Sequence, residues 1–349
     1  MMKRLPLIVI VLLLVAGLIT YLNQHKTTND QLVAISGMTM GTSYHIKLAP
    51  TTEQKINLPS LKEQISSRLA DIDSKMSTYK KDSEISRFNR HSSESWMSIS
   101  AETITVVNAA QEISQLSKGA FDVTIGKLVN LWGFGPTINI DAIPDDNAIL
   151  TLLSQVGYHK LEVRQAPPAL RKSSEVVYLD LSAIAKGYAV DAIAKLLIEN
   201  RINNFLVEIG GEIITYGNKQ EQQPWVIGIE SPVAGQRSIR KRLHLQDVAM
   251  ATSGDYRNYF EHQGTRYSHT IDPATGYPIK HRLVSVTVID SSCMRADALA
   301  TAIMVMGPDK GLEFAEQQQL AIFMLVKQDE LFIAKHSKAF GPYLRSEED

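Results

Sequence analysis

Hydrophobic and polar positions divide the chain into one long apolar run followed by alternating helix-like and strand-like stretches. Leu61, Ile65, Leu69, Ile72 and Met76 recur every three to four positions, which predicts a helix over 61–76. Helices are also predicted over 101–116, 145–156, 183–198 and 294–306, the last stopped by Gly307 as a C-cap. Alternation predicts a strand or hairpin over 33–48, broken at Gly41, and strands over 176–181, 205–216 and 225–229. Strands over 267–271 and 283–289 flank a Pro/Gly turn, and 320–326 with 331–334 closes the chain as a hairpin. The strands fall in antiparallel-looking groups rather than strict β-α-β alternation, so the fold class is α+β, antiparallel sheets with packed helices. Ala166–Pro168 reads as an internal boundary or an insertion loop.

The apolar run itself, Leu5–Leu22, holds 18 residues without a charge, behind Lys3 and Arg4. At ~1.5 Å per residue it spans roughly 27 Å as a helix, close to the ~30 Å of a hydrocarbon core. The basic pair stays cytoplasmic in such an arrangement, which sends the rest of the chain across the membrane. A cleaved signal peptide is the competing reading. Against it, the run is long for a signal and ends in no small-x-small site. Residues 23–31 read as a polar tether. The chain thus divides into an N-terminal transmembrane anchor and tether, 1–30, and one folded domain, 31–349.

Composition narrows the chemistry. Thirty-six basic against 37 acidic side chains leave a net charge of −1, which offers no basic footprint for nucleic acid. With 44% hydrophobic residues the chain has the material for a core and is not a disordered one. A single cysteine, Cys293, excludes an internal disulfide and any multi-cysteine metal site. Reactivity must come from oxygen, nitrogen and a bound small molecule.

Four regions are harder to explain by core packing. In MRADALATAIMVMG (294–307), Asp297 and Thr301 lie four apart, on one face of an otherwise apolar helix. They read either as an aspartate favourable to the helix dipole with a back-bonded threonine, or as part of a hard-cation site. In YLDLSAIAKGYAVDAIAKL (178–196) a strand runs into a helix near Ser182, an N-cap by type. Such a junction also suits an anion, and Lys186 sits in its first turn. GAFDVTIGKLVNLWGFG (119–135) is core or the wall of a ring-ligand site, and Gly210–Gly211 within a strand pattern suggests a bulge or a close approach. In YSHTIDPATGYPI (267–279), His269 stands on the strand before a turn, either structural or a proton acceptor.

Taken together these segments resemble the ApbE family of FAD:protein FMN transferases. MGTSYHI (40–46), STYKKDSEISRFN (77–89), GAFDVTIGKLVNLWGFG, DLSAIAKGYAVD (180–191), EIGGEI (208–213), TSGDYRNYF (252–260), SHTIDPATGYPI and ADALATAIMVMG occur in the family's order, from about Val33 to Gly341. The resemblance implies cleavage of the FAD pyrophosphate, attachment of FMN to a threonine or serine hydroxyl of a recipient protein, and release of AMP. It implies an FAD site at Met40, Tyr79, Ala120, Phe121, Asp122, Asp180, Lys186 and Ile271. It implies Mg²⁺ on Asp297, Thr301 and the Ala183 carbonyl, with His269 as base. The recipient it implies is a subunit of a membrane respiratory complex, NADH:quinone reductase or Rnf type, met on the periplasmic side of a bacterial inner membrane. In three respects the chain departs from relatives. It lacks the lipoprotein cysteine of many exported members, has Lys186 where some are acidic, and has Ala300 where some carry a further aspartate. Two other readings stand beside it: an FAD pyrophosphatase that uses the same FAD and Mg²⁺ but lets water attack, and a flavin-binding or scavenging protein that keeps the FAD-lining residues without needing Asp297 or His269.

Overall fold

The computed structural model describes residues 32–344 apart from 52–53, 137–142, 220–221, 233–238, 256–257 and 330. Its centre is an eight-stranded sheet whose strands lie in chain order: β1 (Val33–Thr39), β2 (Thr42–Leu48), β3 (Phe205–Ile209), β4 (Glu212–Tyr216), β5 (Ala249–Gly254), β6 (Leu283–Asp290), β7 (Ala321–Gln328) and β8 (Leu331–His336). Every neighbouring pair is antiparallel, as the α+β reading expects. Because side chains alternate across a strand, each central strand feeds two cores. Ala249, Ala251, Ile322 and Met324 face one side; Met250, Phe323 and Leu325 face the other.

The first face is covered by α1 (Leu58–Met76), α2 (Ala101–Leu116), α3 (Ala185–Glu199) and α4 (Cys293–Met306). Helix α1 buries the five apolar residues whose spacing predicts it, and α2 has the predicted bounds. The second face is covered by a hairpin of Trp225–Glu230 and Ile239–Leu245 and by Phe340 near the chain's end. Among the described residues no helix is long and apolar enough to cross a membrane. The run proposed as an anchor, Leu5–Leu22, lies outside the described residues.

Several local expectations are corrected. Residues 176–181 form no strand, because their polar groups are met one by one: Asn89 Nδ2 donates to the Leu179 carbonyl at 2.8 Å, its Oδ1 accepts the Leu179 amide at 2.7 Å, and the Asp180 amide donates to Val123. The strand over 267–271 ends at Ser268, leaving a lone bridge from Ile271 to Pro278. The helix over 145–156 is shorter, Asp146–Leu153, with Asp145 as its N-cap. Ala166–Pro168 is neither boundary nor insertion but the turn between Leu161–Arg164 and Ala169–Lys172. Gly210–Gly211 is a two-residue hairpin turn with both φ positive, 61° and 104°, not a bulge. The short helices Glu84–Arg90, Gly126–Leu131 and Pro308–Gln317 are additional.

Helices α3 and α4 meet unusually closely, and Gly187 is the reason. A Cβ there would lie 2.4 Å from the Cys293 carbonyl oxygen and 2.8 Å from the Met294 Cα. Asp191, one turn further along α3, accepts the Cys293 and Met294 amides at 2.8 and 3.0 Å and the Ser292 hydroxyl at 2.8 Å. A carboxylate so placed satisfies α4's free amides and complements its dipole. Gly187→Ala is therefore expected to destabilise the domain by about 2 kcal/mol, overpacking outweighing the gain in helix propensity. A chemical-unfolding midpoint unchanged from the parent chain would contradict this account of the crossing.

Candidate active site

Two hairpin turns, Met40–Gly41 and Gly210–Gly211, lie at the same end of the large sheet, and beside them open two adjoining recesses. One has a volume of about 400 Å³ and the other about 640 Å³; Tyr79, Asp180, Ser182, Lys186, Gly210 and Asn258 border both. Tyr79, Ala120, Phe121, Asp122, Asp180, Ala183, Lys186, His269, Ile271, Asp297 and Thr301 all line the first, and Met40 lines the second. Residues spread over 260 positions of sequence thus share one cleft. Met40 has φ 49° and Gly41 φ 74°, the pair of positive values that a tight hairpin turn requires.

The charged centre of the cleft is built from α3, α4 and β4. Asp297 is 6% exposed in the second turn of α4, so the dipole reading of this residue does not hold; Asp191 serves that dipole. Asp297 Oδ2 accepts the Gly187 amide at 3.0 Å. Helix α3 begins only at Ala185, so that amide turns to Asp297 rather than to the Ala183 carbonyl four residues back. Among the described residues the nearest cation to Asp297 Oδ1 is Lys186 Nζ at 3.8 Å, too long for a hydrogen bond. Lys186 Nζ instead donates to Glu212 Oε1 at 2.7 Å. Glu212 is 3% exposed, and its Oε2 has no hydrogen-bond partner among the described residues. Burial raises the Glu212 carboxyl above the ordinary range, with the Asp297 charge adding and Lys186 opposing. For Lys186 burial works downward, and the Asp297 and Glu212 charges overcome it and hold the ammonium above the usual lysine range. Thr301 lines the cleft one turn below Asp297, and its hydroxyl makes no bond among the described residues, so the back-bonded reading fails.

The junction before α3 also differs from expectation. Ser182 is not the N-cap: Ile184 holds that position without a side-chain cap, and the Ser182 amide donates to Asp180 Oδ1 at 2.9 Å. The anions met at this helix start are the protein's own Asp180 and Asp297. Burial pushes the Asp180 carboxyl upward.

His269 stands one residue beyond the strand Thr265–Ser268. Its Nδ1 lies 2.9 Å from the Asn258 carbonyl oxygen, which also accepts the His269 amide at 3.2 Å. A carbonyl can only accept, so Nδ1 carries the proton and Nε2 keeps its lone pair. Burial lowers the imidazole's affinity for a second proton; the Asn258 bond opposes this, and the Lys186 charge adds to it. The ring is thereby held neutral to a lower pH than a free histidine. The adjoining turn is fixed by Asp272, whose carbonyl accepts the Gly276 amide at 2.8 Å, and by Trp132 Nε1, which donates to the Gly276 carbonyl at 2.8 Å.

An aromatic flank completes the site. Tyr79 is 65% exposed at the rim, an uncovered flat ring beside a cleft whose wall includes Phe121, Phe134 and Ile271. Phe134 packs on Phe260, and Phe260 stacks on Tyr267. Asp122 offers little to a ligand: its oxygens accept the Thr124 amide and hydroxyl at 2.8 and 2.6 Å and the Tyr158 amide at 2.8 Å. Its carboxylate braces the 119–125 turn, so the backbone of that turn is what faces the cleft.

Sequence reasoning missed Glu212, Gly187 and Asn258 as parts of the site. Glu212 had a signal, a carboxylate directly after a Gly-Gly turn in an apolar strand. Asn258 acts through its backbone carbonyl, which no side-chain pattern reveals.

Among the described residues no group of three or more His, Cys, Asp or Glu side chains is disposed to hold a metal. The oxygens on offer are one carboxylate, a hydroxyl and a backbone carbonyl, with Glu212 behind them.

A sequence model described as the ApbE family matches residues 40–324. The FAD:protein FMN transferase of Vibrio cholerae serotype O1 is 46% identical over 312 residues, covering 89% of this chain and 92% of that protein. The Haemophilus influenzae protein of the same name is 41% identical over 322 residues, covering 91% and 93%. Among solved structures, the flavin transferase ApbE from Vibrio cholerae aligns with a TM-score of 0.83 at 44% identity, covering 90% of this chain and 99% of that one. The apo form of the Pseudomonas stutzeri flavinyl transferase ApbE gives a TM-score of 0.83 at 38% identity, covering 90% and 97%.

Proposed function

The chain belongs to the ApbE family, and on that premise we propose that it is an FAD:protein FMN transferase whose reacting centre lies between Asp297 and His269. The observation that carries the siting is the convergence of a neutral, lone-pair-bearing imidazole and a charged oxygen cluster on one cleft. The bond made joins a recipient hydroxyl oxygen to the FMN phosphorus. The bond broken joins that phosphorus to the oxygen that leaves with AMP.

The unsatisfied oxygens fit a hard cation. Among the described residues Glu212 Oε2 has no hydrogen-bond partner, Asp297 Oδ1 has Lys186 Nζ only at 3.8 Å, the Thr301 hydroxyl makes no hydrogen bond, and the Ala183 carbonyl stands outside the α3 ladder. Oxygen donors of this kind suit Mg²⁺, which keeps positions open for substrate phosphates. Asp297, Thr301 and Ala183 would hold it; bound there, it supplies charge neutralisation at the pyrophosphate.

The chain's own groups do the rest. Tyr79 and the Phe121–Phe134 flank bind the flavin's ring system, and Met40 borders the recess beside it. Lys186, held charged by its two carboxylates, faces the phosphates. His269 Nε2 accepts the proton of the attacking threonine or serine hydroxyl, and the Asn258 carbonyl fixes the ring's tautomer and direction. Positioning and electrostatics account for most of the acceleration.

Because the neutral imidazole is the active form, transfer is lost as pH falls through the His269 pKa. Burial places that pKa below the ordinary 6.5, so the acid limb of kcat/KM is expected below 6.5. A limb well above that value would contradict His269 as the base. Product stoichiometry tests the reaction itself: transfer gives one AMP per protein-bound flavin, whereas hydrolysis gives free FMN with AMP.

The uncharged run Leu5–Leu22 behind Lys3 and Arg4 supports an uncleaved anchor, with residues 31–349 as the catalytic domain on the periplasmic side of a bacterial inner membrane. Recipients sharing that surface, such as subunits of NADH:quinone reductase or Rnf-type complexes, meet the enzyme at raised effective concentration.

A further inference from the structure

The hairpin of Trp225–Glu230 and Ile239–Leu245 has an inner face that the core explains and an outer face that it does not. Inward, Trp225, Ile227, Ile229, Leu243 and Leu245 pack on the sheet. Outward, the register sets Val226 opposite His244 and Gly228 opposite Arg242. Ile239 is 56% exposed and lies over Gly228, within 3.3 Å of where a Cβ would be, and Val226 is 51% exposed. Arg240, Arg242 and His244 are exposed, and the two arginines make no ion pair among the described residues. Glu230, the acidic residue of the first strand, is already partnered. The face therefore combines two exposed aliphatic side chains with two guanidinium groups that make no ion pair among the described residues.

Its position supplies the occupant. Leu32, where the tether enters the domain, packs against the same cluster that the hairpin covers. The tether arriving from Leu5–Leu22 is nine polar residues, 23–31, which reach at most roughly 30 Å when extended, so on the anchored reading this edge of the domain stays within that distance of the bilayer. Strand β1 then runs seven residues from Val33 to Thr39, roughly 23 Å at ~3.3 Å per residue, before Met40 reaches the catalytic cleft. We propose that the outer face of this hairpin, through Arg240, Arg242, Ile239 and Val226, rests on an anionic lipid surface and fixes how the cleft is presented relative to it. The inference rests on the anchored reading of Leu5–Leu22. Basic groups beside exposed aliphatics are what such an interface recognises, each arginine adding affinity at a negatively charged surface.

The full chain, reconstituted in vesicles of phosphatidylcholine alone or with about one-third phosphatidylglycerol, tests this by amide hydrogen exchange over 239–245 at about 0.15 M salt. Exchange there is expected to slow by about fivefold or more with the anionic lipid, the factor that one arginine contributes. Arg240→Glu with Arg242→Glu is expected to restore the rate, leaving FMN transfer to a soluble recipient unchanged. Equal exchange in both vesicle types, with the chain retained on both, overturns the contact and leaves the anchor standing. Protection that needs an added membrane protein also overturns it in favour of a protein partner. Release of the chain from phosphatidylcholine vesicles at high salt overturns the anchor, and the proposal falls with it.

Discussion

Asp297→Asn is expected to lower FMN transfer on the order of a thousandfold, the rate equivalent of about 4 kcal/mol. The asparagine keeps an oxygen to accept the Gly187 amide, which Asp297 Oδ2 holds at 3.0 Å, so the α3–α4 crossing survives. What is lost is the charge. Without it Glu212 is the cluster's remaining carboxylate, already bound to Lys186 at 2.7 Å, and the proposed hard-cation site would lose its one directly placed carboxylate. The same substitution removes a repulsion that helps to hold the Glu212 carboxyl high, so Glu212 should titrate at lower pH in the variant. Transfer kinetics with varied Mg²⁺, beside a thermal melt, check both parts. A variant that folds and transfers at the parent rate would refute the role of Asp297.

His269→Ala is expected to reduce kcat by about 10²–10⁴, the usual contribution of general-base catalysis, with FAD affinity nearly unchanged. His269 is held by the Asn258 carbonyl at the edge of the cleft, and its loss leaves the charged cluster and the Tyr79 flank intact. Added imidazole should restore part of the rate in the alanine variant, with a pH dependence set by the added base. A purely structural histidine would show no such rescue and would instead lower the melting temperature. Weakened FAD binding at unaltered kcat would assign His269 to binding rather than to proton transfer.

The helices and the antiparallel strands were largely legible because burial imposes a period. The five apolar positions of α1 are the five that it buries. Pattern failed where backbone groups are satisfied by side chains, as over 176–181, where Asn89 replaces a strand neighbour. Nor did pattern reveal the six-residue helix Gly126–Leu131, too short to show a period, within the segment 119–135. The resemblance supplied candidate residues that the fold does bring into one cleft, although what they touch there differs from the local readings. Ser182 is no cap, Asp122 braces its own turn, and Lys186 meets Glu212. Those contacts are long-range: Glu212 lies 26 positions from Lys186, and Gly187 lies 110 from Asp297. No spacing rule reaches so far.

The most direct test is the intact mass of a threonine-bearing domain from an Rnf-type subunit, incubated with the full chain, FAD and Mg²⁺. The predicted result is a gain of one FMN, matched by one AMP, absent with EDTA and absent when the acceptor threonine is valine. Metal-dependent release of AMP and free FMN, with no adduct on this or other threonine-bearing recipients, would contradict transfer and make the protein a pyrophosphatase.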